Sequence, residues 1–164
     1  MSKVSLLLLA VGCAAVIPVP PAPAPLDGKK LSRFDRVAEG VYRSSQPSIA
    51  DLATLKQDYG LKSVLKLNHG VDHAPPGVTV IAHPLDALVT PSQKQIDQIL
   101  DAIDSAAKPI LIHCTQGQDR TGLVVALYKI RHGAAVDSAY GDMVRHGFRP
   151  WRGLWRYWMK AAGW

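Results

Sequence analysis

From residue 60 onward the chain alternates two patterns of apolar and polar positions. Short continuous apolar runs mark buried strands, and longer stretches with apolar residues every three to four positions mark amphipathic helices. Lys62–Leu67, Val78–Ala82 and Pro109–His113 are runs of the first kind. Ahead of them, Gly40–Ser44 reads as a short strand leading into a turn at Gln46-Pro47. Ser48 is placed to cap a helix over Ile49–Tyr59 that stops at Gly60. Thr90-Pro91-Ser92-Gln93 reads as a second helix start, with Thr90 as cap and Pro91 in the first turn. Ile96, Ile99, Leu100 and Ile103 then recur at helical spacing. A third helix is expected from Arg120 to His132, ending at Gly133, and a fourth through Val136, Tyr140, Met143 and Val144 to Gly147. Pro150 opens a last helix whose stripe of Trp151, Leu154, Trp155, Trp158 and Met159 reads as core packing. Strands interleaved with helices predict an α/β fold: a compact, parallel-dominated sheet flanked by helices on both faces, with the last three helices on one of them.

The N-terminal pattern is different. Lys3, the apolar run Val4–Val11 and Gly12-Cys13 have the order of a short export signal. The run is too short for a transmembrane helix, which needs ~20 apolar residues. Ala10-Val11-Gly12-Cys13 resembles a bacterial lipoprotein signal, in which Cys13 becomes a lipidated first residue facing outside the cytoplasm. Plain export and an uncleaved anchor are the alternatives. Residues 13–25 are rich in proline and read as a stiff tether between the signal at 1–12 and a single domain at 26–164. That domain is long enough to form a core without disulfides. The chain holds two cysteines, Cys13 and Cys114, too differently placed to pair, so Cys114 is read as a free thiol. A net charge of +6 over 164 residues favours anionic partners, yet the basic residues form no recognisable nucleic-acid module.

The chemistry concentrates in one segment. The apolar strand ends at His113, and seven residues later a helix has begun, with Cys114, Gly117 and Arg120 between. In a parallel sheet the loop beyond a strand's C-terminal end is the usual ligand site. A loop running into a helix aims several backbone N–H groups at one point, which makes an anion cradle. Gly117 permits the tight path, and Arg120 offers a planar pair of donors suited to phosphate oxygens. The same field favours the thiolate of Cys114, the form that attacks. Thr115, Gln116, Gly117 and Gln118 would present the cradle's amides to a tetrahedral anion. The expected reaction is attack on phosphorus, a cysteinyl phosphate, and its hydrolysis.

The run His113-Cys114-Thr115-Gln116-Gly117-Gln118-Asp119-Arg120-Thr121-Gly122 resembles the signature of the protein tyrosine phosphatase superfamily. Val41-Tyr42-Arg43-Ser44-Ser45-Gln46-Pro47 and Gly60-Leu61-Lys62-Ser63-Val64 are similar to segments of its small atypical dual-specificity branch. Bacterial tyrosine phosphatase-like enzymes that act on inositol polyphosphates share this frame. Across about residues 35–150 the resemblance implies a cysteine-phosphatase fold. It implies Cys114 as nucleophile, Arg120 as phosphate binder, Thr121 as hydrogen-bond donor to the leaving thiolate, and His113 as a buried orienter of the loop. It also places Arg43 near the substrate.

Two aspartates compete for the general acid that the leaving oxygen needs. Asp86, in the loop after Val78–Ala82, is expected to serve, with Asp119 assisting or substituting. No residue clearly supplies the deep aromatic wall a phosphotyrosine pocket needs. Arg145, His146, Arg149, Arg152, Arg156 and Lys160 crowd the tail, and this leans the expectation towards inositol phosphates. A phosphotyrosine protein is the alternative substrate, and an inactive phosphate-binding module the alternative of another class. No cofactor is called for. His69 and His73 stand four apart but sit among Gly70 and prolines, so they read as loop residues rather than a metal pair.

Overall fold

The computed structural model describes residues 31–150 and 152–163, with nothing described of the Arg152 side chain. The signal, the tether, and Trp151 of the tryptophan stripe therefore lie outside the described residues. Ten elements follow in order: β1 (Asp35–Ala38), β2 (Val41–Ser44), α1 (Ile49–Tyr59), β3 (Ser63–Lys66), β4 (Thr79–Ala82), α2 (Gln93–Ser105), β5 (Ile110–His113), α3 (Asp119–Arg131), α4 (Val136–Arg145) and α5 (Arg152–Ala162).

The sheet order is β1-β2-β5-β3-β4, with β1 antiparallel and every other pairing parallel. β2, β3 and β5 are buried along their whole length, as a sheet covered on both faces requires. Successive side chains on these strands alternate between two cores. Tyr42, Val64 and Leu111 face α1 and pack with Leu52, Leu55 and Leu61. Val41, Leu65, Ile110 and Ile112 face the other way, against α2, α3, α4 and α5. The tail therefore covers one face, and Leu154 and Trp158 of its stripe are fully buried.

Local signals explain the ends of the elements. Ser48 and Asp51 form a reciprocal capping box at the start of α1, and Gly60 closes it in the left-handed region at φ 66°. At α2 the cap is Ser92, bonded reciprocally with Gln95, and the helix starts at Gln93. This corrects the expectation of Thr90 as cap by two residues. Two boxes were spelled in the sequence, Thr90 with Gln93 and Ser92 with Gln95, and the second is the one that forms. β1 was not expected: its burial is partial and its polar residues show no clear alternation. β3 and β4 are parallel neighbours joined by residues 67–78 without a crossover helix, so that loop must be held by other means.

Candidate active site

The loop of residues 114–118 joins β5 to α3 at the C-terminal ends of the parallel strands. Its path is tied to β2. Gly117 has φ 68°, and a Cβ there would lie 2.5 Å from the backbone oxygen of Ser44. Only glycine can pass so close in that conformation. Gln46 N–H donates to Thr115 O at 3.2 Å, a second tie to the same strand end. The loop curls back on its own cysteine: Gly117 N–H donates to Cys114 Sγ at 3.2 Å. Cys114 is a free thiol, 2% exposed.

Above it lies an open cavity of about 230 Å³ lined by Ala87, Cys114, Thr115, Gln116, Asp119, Arg120 and Arg149. Five of the predicted site residues thus meet at one opening, and no aromatic ring lines it among the described residues. Arg120 Nη2 reaches Thr115 Oγ1 at 3.4 Å, and no carboxylate lies within ion-pair range of its guanidinium among the described residues. Thr121 is fully buried in the first turn of α3, and its hydroxyl has no hydrogen-bond partner. A buried hydroxyl without a partner is uncommon and points to a group that arrives during the reaction.

Other predicted residues hold the loop from below. Arg43 is 1% exposed and donates from Nη2 to Gly117 O at 2.7 Å. It supports the cradle from beneath, a correction to its expected place beside the substrate. Burial pushes its pKa down to about 10, against the pull of Asp142 and Asp35, so it is still cationic at neutral pH. Asp142 stands 3.8 Å from Arg43 Nη1 and 2.8 Å from Lys129 Nζ, tying α4 and α3 to the loop's support. Gln118 turns towards Gly147, where a Cβ would lie 2.6 Å from its side-chain nitrogen, and it does not line the cavity.

His113 is fully buried, and its Nε2 lies 2.7 Å from Asp72 Oδ2. Burial of His113 pushes its pKa down, and Asp72 only partly offsets this. The ring is therefore neutral and Nε2 carries its hydrogen towards the carboxylate. Burial also pushes the Asp72 carboxyl up, but hydrogen bonds from Lys66 and Gln46, with the charge of Lys66, leave it below the usual range. Lys66 Nζ meets Asp72 Oδ1 at 2.5 Å, and Gln46 Nε2 meets the same atom at 2.9 Å. This network pins the helix-free connection 67–78 to the strand that feeds the loop. Sequence reading missed Lys66, Asp72 and Gln46. Only a lysine inside an apolar strand run hinted at a buried partner.

The two acid candidates differ. Asp119 accepts from Arg149 N–H at 2.8 Å on Oδ1 and from Arg149 Nη2 at 3.1 Å on Oδ2. Both its oxygens are engaged by one residue. Asp86 is exposed and precedes cavity-lining Ala87 in the chain, and its Oδ1 accepts from Leu88 N–H at 2.8 Å. His69 and His73 sit in the irregular connection 67–78. Of the crowded tail cations, Arg149 alone among the described residues lines the cavity.

Comparison with known proteins gives a consistent picture. Residues 37–134 match the family model described as "Polymorphic toxin system, DSP-PTPase phosphatase". The chain is 31% identical over 119 residues to the dual specificity protein phosphatase TpbA of Pseudomonas aeruginosa, covering 69% of this chain and 54% of that protein. It is 28% identical over 142 residues to the phosphatidylglycerophosphate phosphatase PTPMT1 of Arabidopsis thaliana, covering 80% and 40% respectively. The chain thus spans about half the length of the curated relatives it matches. The crystal structure of TpbA superposes with a TM-score of 0.72 at 26% identity, over 86% of this chain and 91% of that one. A variant of that protein was crystallised in complex with phosphotyrosine. The catalytic core of the PP-IP phosphatase SIW14 from Saccharomyces cerevisiae shares the fold, with a TM-score of 0.66 at 24% identity over 79% and 84%.

Proposed function

We propose that this chain, which belongs to the DSP-PTPase phosphatase family, hydrolyses phosphomonoesters through a phosphoryl group carried on Cys114. One observation carries the reading. Cys114 Sγ sits at the base of a cavity where the loop's Gly117 N–H already points at it and Arg120 lines the same opening. The form of a cysteine that attacks is the thiolate. That thiolate attacks phosphorus as the P–O bond to the leaving group breaks. Arg120 and the loop N–H groups hold the charge on the equatorial oxygens.

Asp86 is the proposed acid. It donates a proton to the leaving oxygen, then accepts one from the water that cleaves the S–P bond. Its exposure next to cavity-lining Ala87 supports this role, and the bonds that Arg149 makes to both oxygens of Asp119 make that residue the lesser candidate. Thr121 donates its unpaired hydroxyl hydrogen to the departing thiolate. His113, held by Asp72, keeps the strand end and loop in place.

The substrate we favour is an inositol polyphosphate. Among the described residues the cavity lining holds two arginines and no aromatic side chain, which suits a polyanion better than a phenyl ring. A second reading, a tyrosine or dual-specificity phosphatase, is favoured by the likeness to TpbA. A pure binding module has no use for a thiol paired with an unpartnered threonine. The full chain, tested on phosphotyrosine peptides and inositol phosphates, should turn over the latter faster and lose turnover with vanadate. A strong preference for peptides overturns the substrate, and equal turnover by Cys114→Ser overturns the mechanism.

Export with Cys13 lipidated is part of the proposal and rests on the order of residues 1–13. Among the described residues no helix is long and apolar enough to cross a membrane. Mass spectrometry of the mature N-terminus tests the idea: an acylated Cys13 supports it, and an intact Met1 overturns it.

A further inference from the structure

Gln116, in the middle of the catalytic loop, is gripped from two sides by arginines that arrive from opposite ends of the domain. Arg33 Nη1 donates to the Gln116 backbone oxygen at 3.1 Å. Arg149 Nη2 donates to Gln116 Oε1 at 2.7 Å. Arg33 is the non-glycine residue with a positive φ, 56°, among the described residues. Such strain in an arginine persists only where surrounding structure imposes it, and it gathers at ligand sites. The segment is fixed here by Ser45 N–H, which donates to Ser32 O at 2.9 Å.

The charges make the arrangement stranger. Arg33 is exposed, and no carboxylate pairs with it among the described residues. It stands near enough to Arg43 to work against that residue's own charge. Arg33 thus adds unpaired positive charge beside a loop already supported by Arg43 and lined by Arg120, and Arg149, whose Nη2 also meets Asp119 Oδ2 at 3.1 Å, brings a second guanidinium to Gln116.

We propose that Arg33 and Arg149, with Gln116 between them, form a second anion position that holds another phosphate of the same substrate molecule. The proposal rests on the phosphatase reading above and adds the residues that set its specificity. Gln116 is two residues from Cys114, so its Cα lies within about 7 Å of the nucleophile's Cα, and the second position adjoins the first. That reach fits phosphates on neighbouring carbons of a small ring, or two joined as a diphosphate. It does not fit a single phosphate on a long side chain. Planar guanidinium groups on two sides can each give a phosphate paired donors. Arg33 and Arg149 then discriminate a polyphosphorylated substrate from a monoester, while Arg120 and the loop amides take the phosphate that reacts.

Calorimetric binding to the full chain carrying Cys114→Ser tests this, with myo-inositol hexakisphosphate and inorganic phosphate as probes. Arg33→Asn suits the left-handed backbone, and Arg149→Gln keeps the backbone N–H that Asp119 accepts. Each should weaken hexakisphosphate binding about tenfold and inorganic phosphate binding less than about threefold, a loss of about 1.4 kcal/mol against well under 1. Lys62→Gln, exposed at the far end of β3, controls for net charge and should leave the ratio between the two anions as it was. An equal loss for both anions, no loss for either, or the same change in Lys62→Gln overturns the second position. Failure of the phosphatase reading has a separate mark: wild type would hydrolyse no phosphomonoester, whatever the binding ratio.

Discussion

The two sides of the catalytic loop are built on opposite plans. Below it, charges are buried and matched: Arg43 with Asp142, Lys66 with Asp72, and Asp72 again with neutral His113. Above it, Arg120 and Arg33 are more open to solvent and have no carboxylate partner among the described residues. A buried pair resists disturbance, because removing one partner strands the other in a medium that cannot solvate it. An exposed cation without a partner contributes little to stability and stays available to an incoming anion. The floor therefore sets the loop's shape, and the rim supplies its field.

Substitutions on the two sides should accordingly fail in different ways. At the rim, Arg120→Lys should lower kcat roughly a thousandfold, since a point charge cannot replace the planar pair of donors. Its denaturation midpoint should stay within ~0.5 kcal/mol of wild type. A matching loss of stability would move Arg120 into the floor. In the floor, Asp72→Asn should cost about 3 kcal/mol in chemical denaturation, by leaving Lys66 buried without a counter-charge. A near-neutral result would mean that Lys66 reaches solvent.

Asp86→Asn sharpens the contrast, because this residue belongs to neither plan. It should slow hydrolysis of an alkyl phosphate about a hundredfold and change an aryl phosphate with a good leaving group much less. If Asp119→Asn shows that split and Asp86→Asn does not, the acid is Asp119. The smallest effect is in pH. His113 has a folded pKa below its unfolded value of ~6.5. Its stability contribution is then complete above that value, and it falls as acid protonates the unfolded chain first. Between pH 6.5 and 5 the loss from this group is at most about 2 kcal/mol. Denaturation of wild type and His113→Asn at the two pH values checks the sign: the variant should lose less. A wild type that gains stability on acidification would show His113 charged in the fold.

Much of the rim could be read in the sequence, and much of the floor could not. Cys114, Gly117 and Arg120 lie within seven residues, and their spacing alone implies a cradle. The partners in the floor are scattered. Asp72 meets His113 across 41 positions, and Arg43 meets Gly117 across 74. No local period links such pairs, because topology brings them together. α1 was legible to the residue, since Ser48 and Gly60 both mark its ends. α2 was misread at its cap because Thr90 and Ser92 compete there. Arg33 left no trace in the pattern, as its role depends on a backbone conformation that sequence does not advertise for arginine.

The central claim is that phosphate passes through Cys114. Rapid acid quenching of the full chain during turnover of an aryl phosphate, followed by mass spectrometry of its peptides, tests this directly. One phosphoryl group should appear on the peptide that contains Cys114 and vanish in Cys114→Ser together with turnover. Turnover that persists in that variant, or a phosphoryl group found on another residue, would contradict the account.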